Sequence, residues 1–271
     1  MNFIVAFVIL GGLGVIFGSL LAFAARKFAV EEDPRVEKVS DVLPGANCGA
    51  CGYAGCTNYA EEVVGGNAPP DLCIPGGKDV IDQVCSILGM ESIASDEKKI
   101  AEVYCIGSKD VAPERFEYQG VPDCEAAANF GGGFKACTYG CLGFGNCVDV
   151  CPFDALSMGV DGLPHIDLER CTGCGICAKA CPRGVIRIVN ANRRGKVVLC
   201  SSKDRGKTAR QACEVGCIGC KACVKACPQE AIVVEENLAY IDNEKCDNCG
   251  KCVEVCKRDI IKDVPKVPVE V

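Results

Sequence analysis

Residues 217–228 read CIGCKACVKACP, and this stretch decides the fold. Its four cysteines follow the spacing C-x2-C-x2-C-x3-C, and a proline closes the run. The same run, again closed by a proline, begins at Cys171, and a third begins at Cys246 with Lys257 in place of the proline. Thiols repeated at so short a pitch predict several metal-binding modules of one kind.

The spacing distinguishes between two kinds of metal. A tetrahedral zinc site takes two cysteine pairs separated by a longer loop. A cubane cluster has four corner irons, so a tight loop reaches three of them and a remote cysteine takes the fourth. The run is the bacterial ferredoxin signature, in which the fourth cysteine serves the partner cluster. A looser version, C-x3-C-x5-C-x3-C, starts at Cys137 and is closed by Pro152.

This exchange of fourth cysteines predicts four ligand sets in two ferredoxin-like modules. The sets are Cys137, Cys141 and Cys147 with Cys181; Cys171, Cys174 and Cys177 with Cys151; Cys217, Cys220 and Cys223 with Cys256; and Cys246, Cys249 and Cys252 with Cys227. Each of the four cysteine runs is followed by a short apolar, β-branched stretch that predicts a strand. These stretches are DALSM, GVIRIV, AIVV and DIIKDV.

A separate group near the N-terminus adds a fifth predicted cluster, held by Cys48, Cys51, Cys56 and Cys73. We expect a short helix after Cys56, capped through Asn58 and Glu61. A charged linker is expected over residues 31–45. Residues 78–104 predict two helices separated by Gly89.

Composition excludes several classes of protein. The chain of 271 residues holds 25 cysteines, a single histidine and a net charge of −7. Cysteines two residues apart rarely bridge each other, which argues against a disulfide framework. The lone His165 cannot supply the repeated histidines of common zinc enzymes. The acidic balance argues against a nucleic-acid partner.

The N-terminus predicts a membrane anchor. The run from Phe3 to Ala25 has no charge and is long enough to cross a hydrocarbon core of about 30 Å. Arg26 and Lys27 follow it, and the positive-inside rule puts them in the cytoplasm. We therefore expect a single-pass protein of the cell (inner) membrane, with its soluble part on the cytoplasmic side.

The predicted fold class is α+β and multi-domain. It comprises one N-terminal transmembrane helix, a small, mainly helical iron–sulfur domain and two tandem bacterial-ferredoxin-like modules with two 4Fe-4S clusters each. The predicted bounds are 1–27 for the anchor, 28–90 for the N-terminal 4Fe-4S domain, 91–134 for a connecting segment, 135–192 for module 1, 193–212 for a basic linker and 213–265 for module 2.

No independent catalytic site is expected. The glycine-rich stretch 11–18 lies inside the anchor, and the phosphate-loop resemblance of 204–208 fails because Ser201 stands where the first glycine is required. Acid–base pairs and histidine-activated nucleophiles do not stand out either.

Five cysteines are left over, and two interpretations stay open for them. They are Cys85, Cys105, Cys124, Cys200 and Cys213. We favour buried apolar thiols, which are common for free cysteine. The alternative is a sixth cluster between the two modules, held by Cys105, Cys124, Cys200 and Cys213. An internal duplication aligns Cys105 with Cys200 and Cys137 with Cys213, and it puts Phe144 where the later repeat has Cys220.

The chain resembles the B subunits of Rnf complexes, which are ion-translocating ferredoxin:NAD+ oxidoreductases, in their longer form with two ferredoxin-like modules. The resemblance rests on the anchor, on residues 43–56 and 135–156, and on module 2, in that order along the chain. It implies electron transport from reduced ferredoxin through the clusters to other Rnf membrane subunits and NAD- or flavin-binding subunits, with outward Na+ or H+ transport. The alternatives are a cluster-bearing subunit of another membrane oxidoreductase and a structural metal-binding scaffold.

A basic stretch is a candidate docking site for an acidic ferredoxin. Its members are Arg193, Arg194, Lys196, Lys203, Arg205, Lys207 and Arg210. A solvated loop, or counter-charge for anionic clusters, is the alternative interpretation.

We expect the iron-free protein to be largely unfolded after the anchor, because each ferredoxin half is too short to bury enough apolar surface without its cluster. Near-UV circular dichroism of the iron-free protein measures this. A cooperative unfolding transition in that spectrum would contradict the prediction.

Overall fold

The computed structural model describes residues 2–27, 33–94 and 97–264; residues 31–32 of the predicted linker and the predicted end of module 2 at 265 lie outside the described residues. Helix α1 spans Asn2–Lys27. Within the described residues, Phe7–Lys27 is the one helical segment long and apolar enough to cross a membrane. This agrees with the predicted anchor.

Three helices form the N-terminal domain. They are α2 (Pro34–Val42), α3 (Cys56–Val64) and α4 (Gly77–Leu88), with a short 3-10 turn over Ile74–Gly76. Val39, Tyr59 and Val84, one from each helix, are almost fully buried and form the centre of its core. The Tyr59 hydroxyl donates to the Pro69 carbonyl (2.9 Å), which fixes the loop that returns the chain to Cys73.

The predicted linker is wrong over its middle, because α2 lies within it. The backbone amide of Arg35 donates to the Asp33 carboxylate (2.9 Å), and Pro34 occupies the first turn. A capping aspartate followed by proline starts a helix, and this signal outweighs the helix-breaking character of proline elsewhere. The expected capping through Asn58 and Glu61 is also wrong, since α3 begins two residues earlier, at Cys56.

Of the two helices predicted over 78–104, the first is confirmed and the second is wrong. The first is α4, which ends where Gly89 adopts the left-handed conformation (φ 71°) that favours glycine. The second is wrong: Lys99–Val103 forms strand β1. Its backbone pairs antiparallel with a strand almost ninety residues later, and that long-range pairing overrides the local helical tendency.

Each ferredoxin-like module contains two antiparallel strand pairs. In module 1, β1 pairs with β4 (Ile186–Asn190), and β2 (Leu156–Met158) pairs with β3 (Pro164–Ile166); in module 2, β5 (Lys196–Val198) pairs with β8 (Ile261–Asp263), and β6 (Ile232–Glu235) pairs with β7 (Leu238–Ile241). All four stretches predicted as strands contain one, so those predictions are confirmed.

The outer strand pair of each module joins its beginning to its end. Strand β1 lies in the predicted connecting segment 91–134, and β5 lies in the predicted basic linker 193–212. Each module therefore takes its first strand from a segment that the sequence placed outside it.

Short helices lie beside the cysteine loops. They are α5 (Cys124–Asn129), α6 (Asn146–Asp149) and α7 (Ile176–Lys179) in module 1, and α8 (Gly206–Ala212), α9 (Ala222–Ala226) and α10 (Lys251–Glu254) in module 2. Both cores combine a few aliphatic side chains with cysteines; in module 1, Ile100 and Val185 are buried beside Cys147 and Cys177. The apolar cores are thus small, as expected for modules of this length.

A buried ion pair connects module 1 to the segment that follows it. Arg193 Nη2 contacts Glu102 Oε2, and the two side chains are only 11% and 7% exposed. Arg193 also donates to the Tyr104 hydroxyl (3.0 Å), and the Arg187 guanidinium lies 4.2 Å from the centre of the Tyr104 ring. Each of these two buried charges is stabilised by the other, so removal of either one leaves a buried charge without a partner.

We predict that Glu102→Ala lowers the free energy of unfolding by about 3–5 kcal/mol, because it leaves the Arg193 charge buried without a partner. Denaturant unfolding of the cluster-loaded protein without oxygen measures the change. Lys262→Ala, which removes the partner of exposed Asp259, is the matched control and should cost less than about 1 kcal/mol. Equal losses in the two variants would contradict a structural role for the buried pair.

Candidate iron–sulfur sites

The thiols of the N-terminal cysteine group lie close to one another. Cys56 is the first residue of α3, and its backbone amide donates to the Asn47 side chain (2.9 Å). Burial, together with the Cys56, Cys48 and Cys51 thiols, raises the pKa of Cys73 to about 11. The four predicted thiols are therefore close enough to interact, and binding as thiolates requires a positive metal centre beside them.

Module 1 holds a cavity lined by Cys124, Cys141, Cys147 and Cys181. Burial, with the nearby Cys181 and Cys124 thiols, raises the pKa of Cys147 to about 11. Three of these residues belong to a predicted set. Cys124, which the sequence left over, takes the place that the prediction gave to Cys137.

Side-chain hydrogen bonds hold Cys124 at this cavity. Asp123 caps α5 by accepting from the Ala126 amide (2.7 Å), and its other oxygen accepts from the Asn146 side chain. Asn146 in turn accepts from the Cys124 amide (2.9 Å). Since Asn146 immediately precedes Cys147, this network places α5 against the cysteine loop.

The placement of Cys137 differs from the prediction, and the reason lies in Phe144. Phe144 occupies the position that Cys220 has in module 2, and it packs with Tyr118 and Phe134 in an aromatic cluster (ring centres 5.6 and 5.4 Å apart). Cys124 lines the same cavity as Cys141, Cys147 and Cys181, although it lies outside the cysteine loop. The sequence held one signal of this: Cys124 has no aligned counterpart in module 2, and module 2 already has Cys220 at the position of Phe144.

The thiols of the second predicted set of module 1 lie close enough to interact. Burial, with the Cys174 and Cys171 thiols, raises the pKa of Cys177 to about 12. Burial also raises the pKa of Cys174, which interacts with Cys151. The Ala101 amide donates to Cys171 Sγ at 3.4 Å, a contact of the kind that tunes cluster potentials.

Module 2 holds a corresponding cavity, lined by Cys217, Cys220, Cys223 and Cys256. Burial, with the other three thiols, raises the pKa of Cys223 to about 11. The fourth cysteine again comes from the other loop of the module.

The structure brings three thiols of the remaining set of module 2 close together. Burial raises the pKa of Cys252, and the Cys246 and Cys227 thiols interact with it. Cys249 lies in an exposed loop, and its backbone amide donates to Asp247 (3.1 Å).

Another cavity lies between the modules and is lined by Cys105, Cys137, Cys200 and Cys213, together with buried Lys135. Of the five leftover cysteines, only Cys85 lies in neither this cavity nor that of Cys124; it is buried in α4.

The thiols of two sets line cavities, one in each module. Within the described residues, no three cysteine, histidine or carboxylate side chains are close enough together to hold a single metal ion. A cubane is larger than an ion and receives each thiolate at a separate corner, so its ligands need this wider spacing.

Neighbouring sets are close enough for their thiols to interact. In addition to burial, Cys48 of the N-terminal group contributes to the raised pKa of Cys174, and Cys147 contributes to that of Cys177. The N-terminal group and the two sets of module 1 thus follow one another in space.

The basic stretch 193–210 divides into two parts. Arg193 is buried against Glu102, Lys196 Nζ lies 2.5 Å from Asp263, and Lys203 pairs with Glu236 at 2.5 Å. The remaining members are exposed; they are Arg194, Arg205, Lys207 and Arg210. We call Arg205, Lys207 and Arg210, at and within α8, the α8 basic face.

Profiles of iron–sulfur domains match four parts of the chain. They are described as a putative Fe-S cluster domain (residues 43–75), 4Fe-4S binding domains (141–155 and 164–187) and a 4Fe-4S dicluster domain (216–260). The predicted 4Fe-4S chemistry is therefore confirmed for this chain.

Three relatives resemble almost the whole chain. The B subunit of the Na(+)-translocating ferredoxin:NAD(+) oxidoreductase complex of Acetobacterium woodii is 50% identical over 93% of this chain and 75% of its own length. Its proton-translocating counterpart in Clostridium ljungdahlii is 46% identical over 96% and 92%, and the B subunit of the ion-translocating oxidoreductase complex of Methanosarcina acetivorans is 44% identical over 94% and 96%. The chain therefore belongs to the family of B subunits of ion-translocating ferredoxin:NAD(+) oxidoreductase complexes.

Proposed function

We propose that this chain is the electron-transfer subunit of such a complex, which accepts electrons from reduced ferredoxin and passes them through 4Fe-4S clusters to membrane partner subunits that translocate Na+ or H+. The succession of interacting cysteine sets carries this proposal. Long-range electron transfer requires redox centres that lie close to one another, and a structural metal scaffold has no need of such a series.

We propose five ligand sets. Four are those predicted from the sequence: Cys48, Cys51, Cys56 and Cys73; Cys171, Cys174, Cys177 and Cys151; Cys217, Cys220, Cys223 and Cys256; and Cys246, Cys249, Cys252 and Cys227. In the fifth, Cys124 joins Cys141, Cys147 and Cys181 in place of Cys137, on the evidence of the shared cavity.

Electrons enter at module 2. Within the described residues, Cys220 and Cys249 are the exposed cysteines, and both belong to this module. Arg210 lines the same cavity as Cys220, so the α8 basic face lies beside the cluster most open to a donor. An acidic ferredoxin is attracted there without the cost of breaking existing ion pairs.

The membrane helix sets the other end of the series. Arg26 and Lys27 close α1 on what we propose is the cytoplasmic side. The N-terminal cysteine group follows α1 in the chain, so this end passes electrons to the membrane partners, while module 2 faces the soluble donor.

We predict that Cys124→Ser removes one cluster, about four iron atoms per chain, because it takes away a fourth corner ligand. Cys85→Ser changes a buried cysteine outside the sets and should leave the iron content unchanged. Iron and acid-labile sulfide analysis of both variants, purified without oxygen, measures this. An unchanged iron content in Cys124→Ser would return Cys137 to the fifth set.

We predict that reversing Arg205 and Lys207 to Glu slows reduction by ferredoxin about tenfold or more at low ionic strength, with the difference shrinking as salt screens the charges. Stopped-flow bleaching of cluster absorbance measures the rate. Lys38→Glu with Lys109→Glu, two exposed sites elsewhere, changes the net charge equally and is the matched control. Equal slowing in both double variants would contradict docking at α8.

A further inference from the structure

We propose that Cys105, Cys137, Cys200 and Cys213 hold a sixth 4Fe-4S cluster at the interface of the two modules. Cys105 and Cys137 come from module 1, and Cys200 and Cys213 come from module 2. All four residues line one shared cavity. The set differs from the alternative considered from the sequence, since Cys137 replaces Cys124.

The two modules contribute equivalent residues. Cys105 lies two residues after β1, and Cys200 lies two residues after β5. Cys137 and Cys213 each accept, through the carbonyl, a hydrogen bond from the amide three residues later (3.4 Å in both). A site built twice from the same parts is symmetric about the module interface, and each half supplies two of the four ligands.

The thiols of different modules face one another. Cys213 Sγ and Cys105 Sγ lie 3.4 and 3.6 Å from the point that a Cβ atom on Gly107 would occupy. One thiol from each module therefore lies next to Gly107.

Backbone amides point at the sulfur atoms of this site. The Cys141 amide donates to Cys105 Sγ, and the Cys217 amide donates to Cys200 Sγ, both at 3.4 Å. A second amide, that of Ser202, also donates to Cys200 Sγ (3.4 Å). Sulfur that accepts several amide hydrogen bonds is suited to a thiolate ligand carrying negative charge.

A buried cation provides independent evidence for an anionic occupant. Lys135 lines the cavity and is only 4% exposed. In the described part of the chain no carboxylate forms an ion pair with it. A cubane held by four thiolates carries negative charge, so it would give this lysine a counter-charge.

The position of the site gives it a role in the series, and that role rests on the proposed function. Cys141 and Cys217, whose amides reach its sulfur atoms, belong to the facing sets of modules 1 and 2. One electron leaves the module 2 set, oxidising it, resides at the interface, and then reduces the module 1 set. Thiol protons are lost when the cluster is assembled, and no proton moves with the electron.

The double variant Cys200→Ser with Cys213→Ser tests the site, because neither residue belongs to another set. The iron content should fall from about 24 to about 20 atoms per chain. Cys105→Ser with Cys137→Ser should cause the same loss, and combining all four changes should cause no further loss, since the pairs share one cluster. Cys85→Ser is the matched control.

Native mass spectrometry of the unmodified chain decides the count if a variant loses more iron through misfolding. Six cubanes support the proposal. Five cubanes, or five with one zinc ion or with disulfides among these cysteines, overturn it.

Electron paramagnetic resonance separates this inference from the proposed function. With ferredoxin as reductant, the Cys200→Ser and Cys213→Ser variant should reduce its module 2 clusters normally and its module 1 clusters more slowly. If ferredoxin reduces no cluster even in the unmodified chain, the donor assignment fails while the count of six stands. Normal reduction of module 1 in the variant would overturn the role between the modules.

Discussion

A cubane has four corners, and a tight cysteine loop reaches three. Most of this architecture follows from that geometric constraint. Each loop requires a cysteine from elsewhere, so each ferredoxin-like module folds its second loop back onto its first. The strand pairs β1–β4 and β5–β8 fix that return by joining the two ends of each module. Where a loop lacks one of its three cysteines, as at Phe144, another segment must reach in, and α5 does so with Cys124.

The same constraint explains how little apolar core the modules need. Fully buried aliphatic side chains such as Ile100, Val185 and Ile261 are few, and buried cysteines lie among them. Metal–thiolate bonds replace part of the hydrophobic contribution that a larger domain would make. The N-terminal domain differs, because three helices enclose Tyr59 and Val84 in a more ordinary apolar core.

The sequence was sufficient where chemistry repeats at fixed spacing. The cysteine runs predicted the 4Fe-4S chemistry and the strands that follow each run. It was insufficient where a residue's role depends on a distant partner. Nothing local to Lys99–Val103 reveals its pairing with Ile186–Asn190. Cys124 gains its position from Asn146, twenty-two residues later. The sequence predicted a single basic surface over residues 193–210. In the folded chain, however, Arg193 and Lys196 form ion pairs with distant carboxylates.

The duplicated halves are not electrically identical. Lys135 is buried at the interface on the module 1 side, and its charge opposes the burial that raises the pKa of Cys141 to about 12. The aligned residue of module 2 is Gln211, which is neutral and exposed. A fixed positive charge stabilises an added electron more strongly at the nearer centre. A single difference within a repeated scaffold therefore makes an added electron more favourable in module 1 than at the equivalent position in module 2.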